Sequence, residues 1–192
     1  GKWHLGWLPK YSPQLSGFDH FWGIRSGGVD YFTHKSGIAS TDSLDLWDGD
    51  TKVDQAGYLT ELLGDRVVKE VQTYASQKKP FYISACFTAP HWPWEGPADK
   101  DLDHDAPGHM QAGGSQVVYG EMMKRMDAGV GTARALDVNA LAREGEHRVL
   151  HRPLDRGDGV LALPADEGAA VVLDLDPVAR HGVRVSGSGA AS

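Results

Sequence analysis

The sequence is poor in cysteine: Cys86 is the single one among 192 residues. An internal disulfide is therefore excluded, and one thiol leaves the redox compartment open. Positive charge is also in deficit, with 19 Lys and Arg against 26 Asp and Glu and a net charge of −7. The basic residues are scattered rather than striped, so nothing offers the footprint of a nucleic-acid binder. No apolar run approaches the roughly 20 residues of a membrane span. No charged-then-apolar leader precedes Gly1, and a chain that begins on a glycine inside a motif is expected to have lost its original start. A fourth absence divides the chain. From Val138 to Ser192 there is no Phe, Trp, Tyr, Ile, Met, Cys, Lys, Thr or Gln, and every aromatic residue lies at or before Tyr119. Residues 138–192 use mainly Ala, Gly, Val, Leu, Arg, Asp and Pro. The patches Val160-Leu161-Ala162-Leu163 and Ala170-Val171-Val172-Leu173 have short-strand character but nothing bulky enough to fill a core. Two parts are expected: residues 1–137 as a folded domain, and 138–192 as an Ala/Gly/Arg-rich tail. The tail is expected to be weakly folded or disordered, or read out of frame, since its residues are those favoured by GC-rich codons.

Before that break the chain reads as α/β. A content of 41% hydrophobic and 23% charged residues fits a soluble globular class. Leu59, Leu62, Leu63, Val67, Val68, Val71 and Tyr74 recur at helical spacing, which predicts a helix over 59–76 starting near Tyr58 or Thr60. Lys78-Lys79-Pro80 ends it, and Phe81 to Phe87 reads as a short buried strand. Residues 95–115, rich in Pro, Gly and Asp, read as a surface loop. Tyr119, Met122, Met123, Met126, Val130 and Ala133 mark a second helix facing the same core.

Two short segments carry candidate chemistry. In Gly1-Lys2-Trp3-His4-Leu5-Gly6, an extended backbone puts Lys2 and His4 on one face and turns Trp3 and Leu5 into packing. An ammonium beside an imidazole suits holding an anion and moving a proton. The same residues also fit an ordinary strand end. In Pro90-His91-Trp92-Pro93-Trp94, the prolines restrict where the His91 imidazole points; an aromatic-rich turn with His91 merely exposed reads equally well. Cys86 is expected to be a small buried hydrophobe. Asp45, Asp48, Asp50 and Asp54 read as a solvated turn. Asp101, Asp103, His104, Asp105 and His109 read as a solvent-facing loop with weak capacity for a metal. His147, His151 and His181 receive no role.

The opening hexapeptide resembles the second signature of the sulfatase family. The resemblance continues through Gly17-Phe18-Asp19-His20-Phe21-Trp22-Gly23-Ile24, Val29-Asp30-Tyr31-Phe32-Thr33-His34, Gly57-Tyr58-Leu59-Thr60, Ala89-Pro90-His91-Trp92-Pro93-Trp94, and Tyr119 to Gly131. Ordered blocks over about 130 residues are far more specific than one short motif. The resemblance implies a partial alkaline-phosphatase-like α/β fold, with helices on a mixed or mostly parallel sheet, and an arylsulfatase-type sulfuric ester hydrolase. It implies that Lys2 holds the sulfate, that His4 accepts a proton, and that His91 binds sulfate and protonates the leaving alcohol. Ser26 falls near a family position that contacts the nucleophile. The family's formylglycine stretch, Cys-x-Pro-x-Arg or Ser-x-Pro-x-Arg, has no match here. The family also implies calcium, whose expected ligands are absent; Asp137-Val138-Asn139 does not supply the usual Asp-Asn pair. This chain alone is therefore expected to be inactive. The implied partner is a sulfated small molecule or sulfated sugar, with Trp92 and Trp94 available to stack on it, and the implied compartment is periplasmic, secreted or lysosomal-like. A phosphonate or phosphodiester hydrolase of the same superfamily, or a non-catalytic sulfated-glycan-binding remnant, remains the alternative.

Overall fold

The computed structural model describes residues 1–37, 43–77, 81–106, 108–111, 114–136 and the backbone of 171–174. Its strands are short. β1 (Trp22–Gly23), β4 (Trp47–Asp48) and β5 (Thr51–Lys52) form an antiparallel sheet in the order β1-β4-β5. β2 (Lys35–Ser36) pairs antiparallel with β3 (Ser43–Leu44). β6 (Phe81–Ser84) runs parallel to β7 (Val171–Asp174). The β4–β5 hairpin closes over Gly49 and Asp50, and Gly49 takes the left-handed φ of +59° that a two-residue loop demands.

Backbone hydrogen bonds extend these ladders into a layer. Lys2 N donates to Cys86 O at 2.8 Å on one side. On the other, Trp3 N donates to Ile24 O at 2.9 Å and His4 N to Arg25 O at 3.2 Å. The opening segment thus lies between the continuation of β6 and that of β1, and its Lys2–Ile24 bridge is parallel. Among the described strands the ladders are antiparallel except for the β6–β7 pair, and they form three separate sheets rather than one mixed or mostly parallel sheet. Only the β4–β5 connection, two residues long, dictates antiparallel pairing by its length.

Helix α1 (Leu59–Ala75) buries Leu59, Leu63, Val67 and Val71, one residue per turn along a single stripe. Helix α2 (Gln116–Ala135) starts at Ser115, whose hydroxyl accepts from Val118 N at 3.2 Å, and it buries Met122, Met126 and Ala133. The main core joins these faces to Trp22, Ile24, Val29, Tyr31, Leu46 and Phe87. Both helices fall where their periodicity predicts. Tyr119 departs, being 37% exposed and set edge-on to Trp94 at 5.3 Å.

The strand at 81 is shorter and less enclosed than expected. Pairing stops at Ser84, and burial then alternates, with Ala85 and Phe87 inside and Cys86 exposed between them. Cys86 is therefore not a core residue: with a period of two it must face away from its buried neighbours. It opens, with Tyr82, Phe81, Phe18 and Trp22, onto a cleft of about 960 Å³. Lys2 lines this cleft, as do Leu63, Val67 and Tyr74 of α1, but His4 and His91 do not. Of the tail's candidate strands, Val160–Leu163 lies outside the described residues.

The two helices cross at glycine. A Cβ on Gly64 would lie 3.2 Å from Gly129 Cα, whereas one on Gly131 would meet nothing within 4 Å. Gly64→Leu is expected to destabilise by about 1–3 kcal/mol through forced separation of α1 and α2. Gly131→Ala should stabilise by up to roughly 1 kcal/mol from helix propensity alone. Denaturant unfolding of the two variants checks this; equal effects would remove the close crossing from the account.

Candidate active site

The site is built around the turn that follows β1. Ser26 is buried, its N donates to Asp45 Oδ2 at 2.8 Å, and its hydroxyl donates to Gly28 O at 3.0 Å. The other oxygen of Asp45 accepts from Trp47 Nε1 at 2.6 Å. Asp45 is thus a buried acceptor fixing the turn, not part of a solvated loop. Its neighbours are also engaged: Asp50 pairs with Arg25 at 2.5 Å, and Asp48 with Arg66 at 3.1 Å. Buried Arg25 further lies over the Trp47 ring at 4.2 Å, a desolvated stacking arrangement that guanidinium favours.

Two glycines bring two histidines to this turn. A Cβ on Gly27 would fall 2.5 Å from His4 Nε2, and one on Gly28 would fall 3.1 Å from His91 Nδ1. Side chains at 27 and 28 are excluded by the imidazoles themselves. His4 has φ +56°, a left-handed conformation uncommon outside glycine. This corrects the simple alternation expected for the hexapeptide: the extended run ends at Trp3, and the kink at His4, not strand parity, turns its ring onto Gly27. Trp3 is half-buried, with its indole N–H donating to Tyr11 O at 2.7 Å, but Leu5 is 67% exposed instead of packed.

His91 follows Thr88 by a backbone bond of 2.9 Å, and its own carbonyl accepts from the Tyr31 hydroxyl at 2.9 Å. Its Nδ1 lies 2.6 Å from Trp92 O. A carbonyl only accepts, so Nδ1 carries the proton and Nε2 is left for a ligand. Lys2 is half-buried and its ammonium is held below the ordinary lysine range by burial. Burial, then the charges of Lys2 and His91, lower His4. The charges of Lys2 and His91 thus both reach His4. Ser26 stands beneath them, its hydroxyl committed to the turn. Such a group offers positive charge, a free imidazole nitrogen and a neutral base, which together suit a tetrahedral oxyanion.

A second cluster was only partly legible. From sequence, His104 and His109 belong to a solvent-facing loop with weak capacity for a metal, Asp30 only to a motif, and Glu95 only to the start of the 95–115 surface loop. In the structure they converge: Asp30, Glu95, His104 and His109 each offer one donor atom within 4.8 Å of the others. Asp30 Oδ2 lies 2.8 Å from His104 Nδ1 and 3.1 Å from His109 Nε2. Burial, then the Asp30 carboxylate, raise Glu95. For Asp30 itself the hydrogen bonds from Glu95, Thr33 and Phe32 outweigh burial and bring it to about 2. The available signal was the pair of histidines five apart in an acidic loop.

Calcium fits none of these described groups. It takes six to eight oxygens, often carboxylates, yet both Asp45 oxygens are already used and the second cluster is half imidazole. Asp137 and Asn139 lie outside the described residues.

Comparison with known proteins places these observations in context. The Sulfatase family profile matches residues 1–136. Arylsulfatase J of Mus musculus is 33% identical over 102 residues, covering 50% of this chain and 17% of that protein. An arylsulfatase of Klebsiella aerogenes is 26% identical over 101 residues, covering 50% of this chain and 22% of its own length. The chain thus spans about a fifth of the curated relatives it matches. Two crystal structures of Ps i-CgsB, one in complex with k-i-k-neocarrahexaose, align with TM-scores of 0.54 and 0.55 at 24% identity. Each covers 75% of this chain and 33% of the other, and the likeness supports a partial alkaline-phosphatase-like fold.

The His4 environment is directly measurable. Its ring should titrate below an ordinary histidine in NMR, and Lys2→Met should move the midpoint upward by removing a like charge. A midpoint indifferent to Lys2 would separate the two side chains.

Proposed function

This chain belongs to the sulfatase family, and on that footing we propose that residues 1–136 hold the sulfate group of a sulfuric ester during its hydrolysis to alcohol and sulfate. The observation that supports the reading is the close approach of His4 to Gly27 and of His91 to Gly28, with the Lys2 charge acting on His4. Asp45, the carboxylate beneath that turn, is occupied by Ser26 N and Trp47 Nε1.

In this reading the Lys2 ammonium neutralises a sulfate oxygen. Burial strengthens that interaction while lowering its own pKa. The His91 Nε2, once protonated, faces the ester oxygen and supplies the proton that the departing alcohol needs. His4, whose pKa is lowered by burial and then by the charges of Lys2 and His91, accepts a proton as the reaction intermediate collapses. Ser26 acts as a positioning residue, holding Gly28 and with it the place of the His91 ring. No nucleophile is assigned within the described residues, so the chain by itself is expected to bind a sulfate ester without turning it over.

The substrate class we favour is a sulfated sugar. Trp92 and Trp94 flank His91 and are 43% and 38% exposed, giving amphipathic surfaces on which a sugar ring stacks. The k-i-k-neocarrahexaose bound to one structural neighbour agrees with that class. The phosphonate or phosphodiester alternative uses the same three groups and differs only in the anion preferred. No helix among the described residues is long and apolar enough to cross a membrane.

Calorimetric titration of the full chain with an aryl sulfate and with inorganic phosphate tests the reading. Sulfate-ester binding without hydrolysis is expected, weakened roughly tenfold or more in Lys2→Met by loss of a charge-assisted hydrogen bond. Unchanged affinity in both Lys2→Met and His91→Ala would refute it, and a preference for phosphate would select the alternative.

A further inference from the structure

We infer that Asp30, Glu95, His104 and His109 form a four-ligand site for a divalent transition metal of the zinc type, separate from the anion site and independent of the function proposed for it. Each carboxylate is divided between local donors and the histidine pair. Asp30 Oδ1 accepts from Phe32 N at 2.9 Å, Thr33 N at 2.6 Å and Thr33 Oγ1 at 2.9 Å. Glu95 Oε2 accepts from Tyr31 N at 2.8 Å. One oxygen of each is thus anchored by local donors, and the other, Oδ2 or Oε1, is aimed at the histidine pair.

The histidines are oriented in the same sense. His104 Nε2 lies 3.3 Å from the Lys100 carbonyl, an outer acceptor that can hold a proton on that nitrogen and so free Nδ1, which faces the carboxylates, to ligate an ion once its own proton is displaced. Nδ1 then faces His109 Nε2 at 3.2 Å and Glu95 Oε1 at 3.4 Å. His109 Nε2 also contacts Glu95 Oε1 directly. Bonds of about 2.0–2.2 Å to a tetrahedral zinc set ligand–ligand edges of roughly 3.3–3.6 Å. Four of the separations, 2.8–3.4 Å, are close to that figure; the His109 Nε2–Glu95 Oε1 contact is shorter and would have to open around an ion, and all four donor atoms lie within 4.8 Å of one another.

Charge and donor type agree. With an ion displacing their protons, two carboxylates whose side chains are only 3% exposed and two imidazoles would sum to the charge that one divalent cation balances. Two imidazoles with two carboxylates favour zinc over calcium or magnesium. Four protein ligands close the shell, so the ion is structural: it clips the turn at 30–34 to the loop at 95–109. Tyr31, adjacent to Asp30, bonds the His91 carbonyl.

The test is metal content and zinc affinity of the full chain, with cobalt substitution to report geometry. One zinc per chain is expected, with a tetrahedral cobalt absorption spectrum. His104→Ala and His109→Ala should each weaken binding by more than about tenfold, while His20→Ala, outside the cluster, should not. A metal-free protein that zinc does not bind overturns the inference, as does binding that survives both ligand substitutions or a preference for calcium. The first of these is read on the unaltered protein and needs no variant to fold.

Discussion

The turn at 26–28 depends on the buried carboxylate of Asp45. Its two oxygens take the Ser26 amide and the Trp47 indole N–H, while its own N donates to His34 O at 2.9 Å. A carboxylate so placed is tolerated because each oxygen has a donor; leaving a buried donor unpaired costs about 1–3 kcal/mol. The consequence is positional. Fixing Ser26 fixes Gly27 and Gly28, and those glycines set how closely the rings of His4 and His91 approach. A charge two strands further along the chain thereby determines the geometry of groups drawn from residues 4 and 91.

Packing supplies the second constraint. His4 reaches the turn because residues 1–4 are hydrogen-bonded between Cys86 and Ile24–Arg25. His91 reaches it because Phe87 is buried against Gly129 of α2, and because Tyr31 holds its carbonyl. The helices in turn meet through Gly64 and Gly129. Core, sheet layer and turn form one chain of contacts, which is why a candidate site made of residues far apart in sequence can be well defined within a small set of elements. The exposed tryptophans beside His91 add a surface of the kind that binds ring-shaped ligands, without being required for the anion geometry.

Much of this was legible from residues alone. Apolar spacing located α1 and α2, since a stripe repeating every three to four residues has few alternatives. The Lys2, His4 and His91 segments stood out because charge and imidazole sat beside residues with restricted backbones. What failed was local inference from parity and polarity. Cys86 was assigned inside because its neighbours are apolar, yet alternation puts it outside. Leu5 was assigned inside by counting along a strand that the left-handed His4 ends. Asp45 and the His104–His109 loop were assigned to solvent because acidic and polar residues usually lie there. Their burial depends on long-range partners, Ser26 and Trp47 for the first, Asp30 and Glu95 for the second, and no window of sequence contains both halves of such a contact.

The account's central claim is that one ammonium and two imidazoles face a common tetrahedral anion. A crystal structure of the full chain with tungstate tests it most directly. The prediction is a single anion within about 3 Å of Lys2 Nζ, His4 and His91 Nε2, seated above the Ser26–Gly28 turn. An anion bound elsewhere, or one touching Lys2 while the two rings point away from it, would contradict the claim.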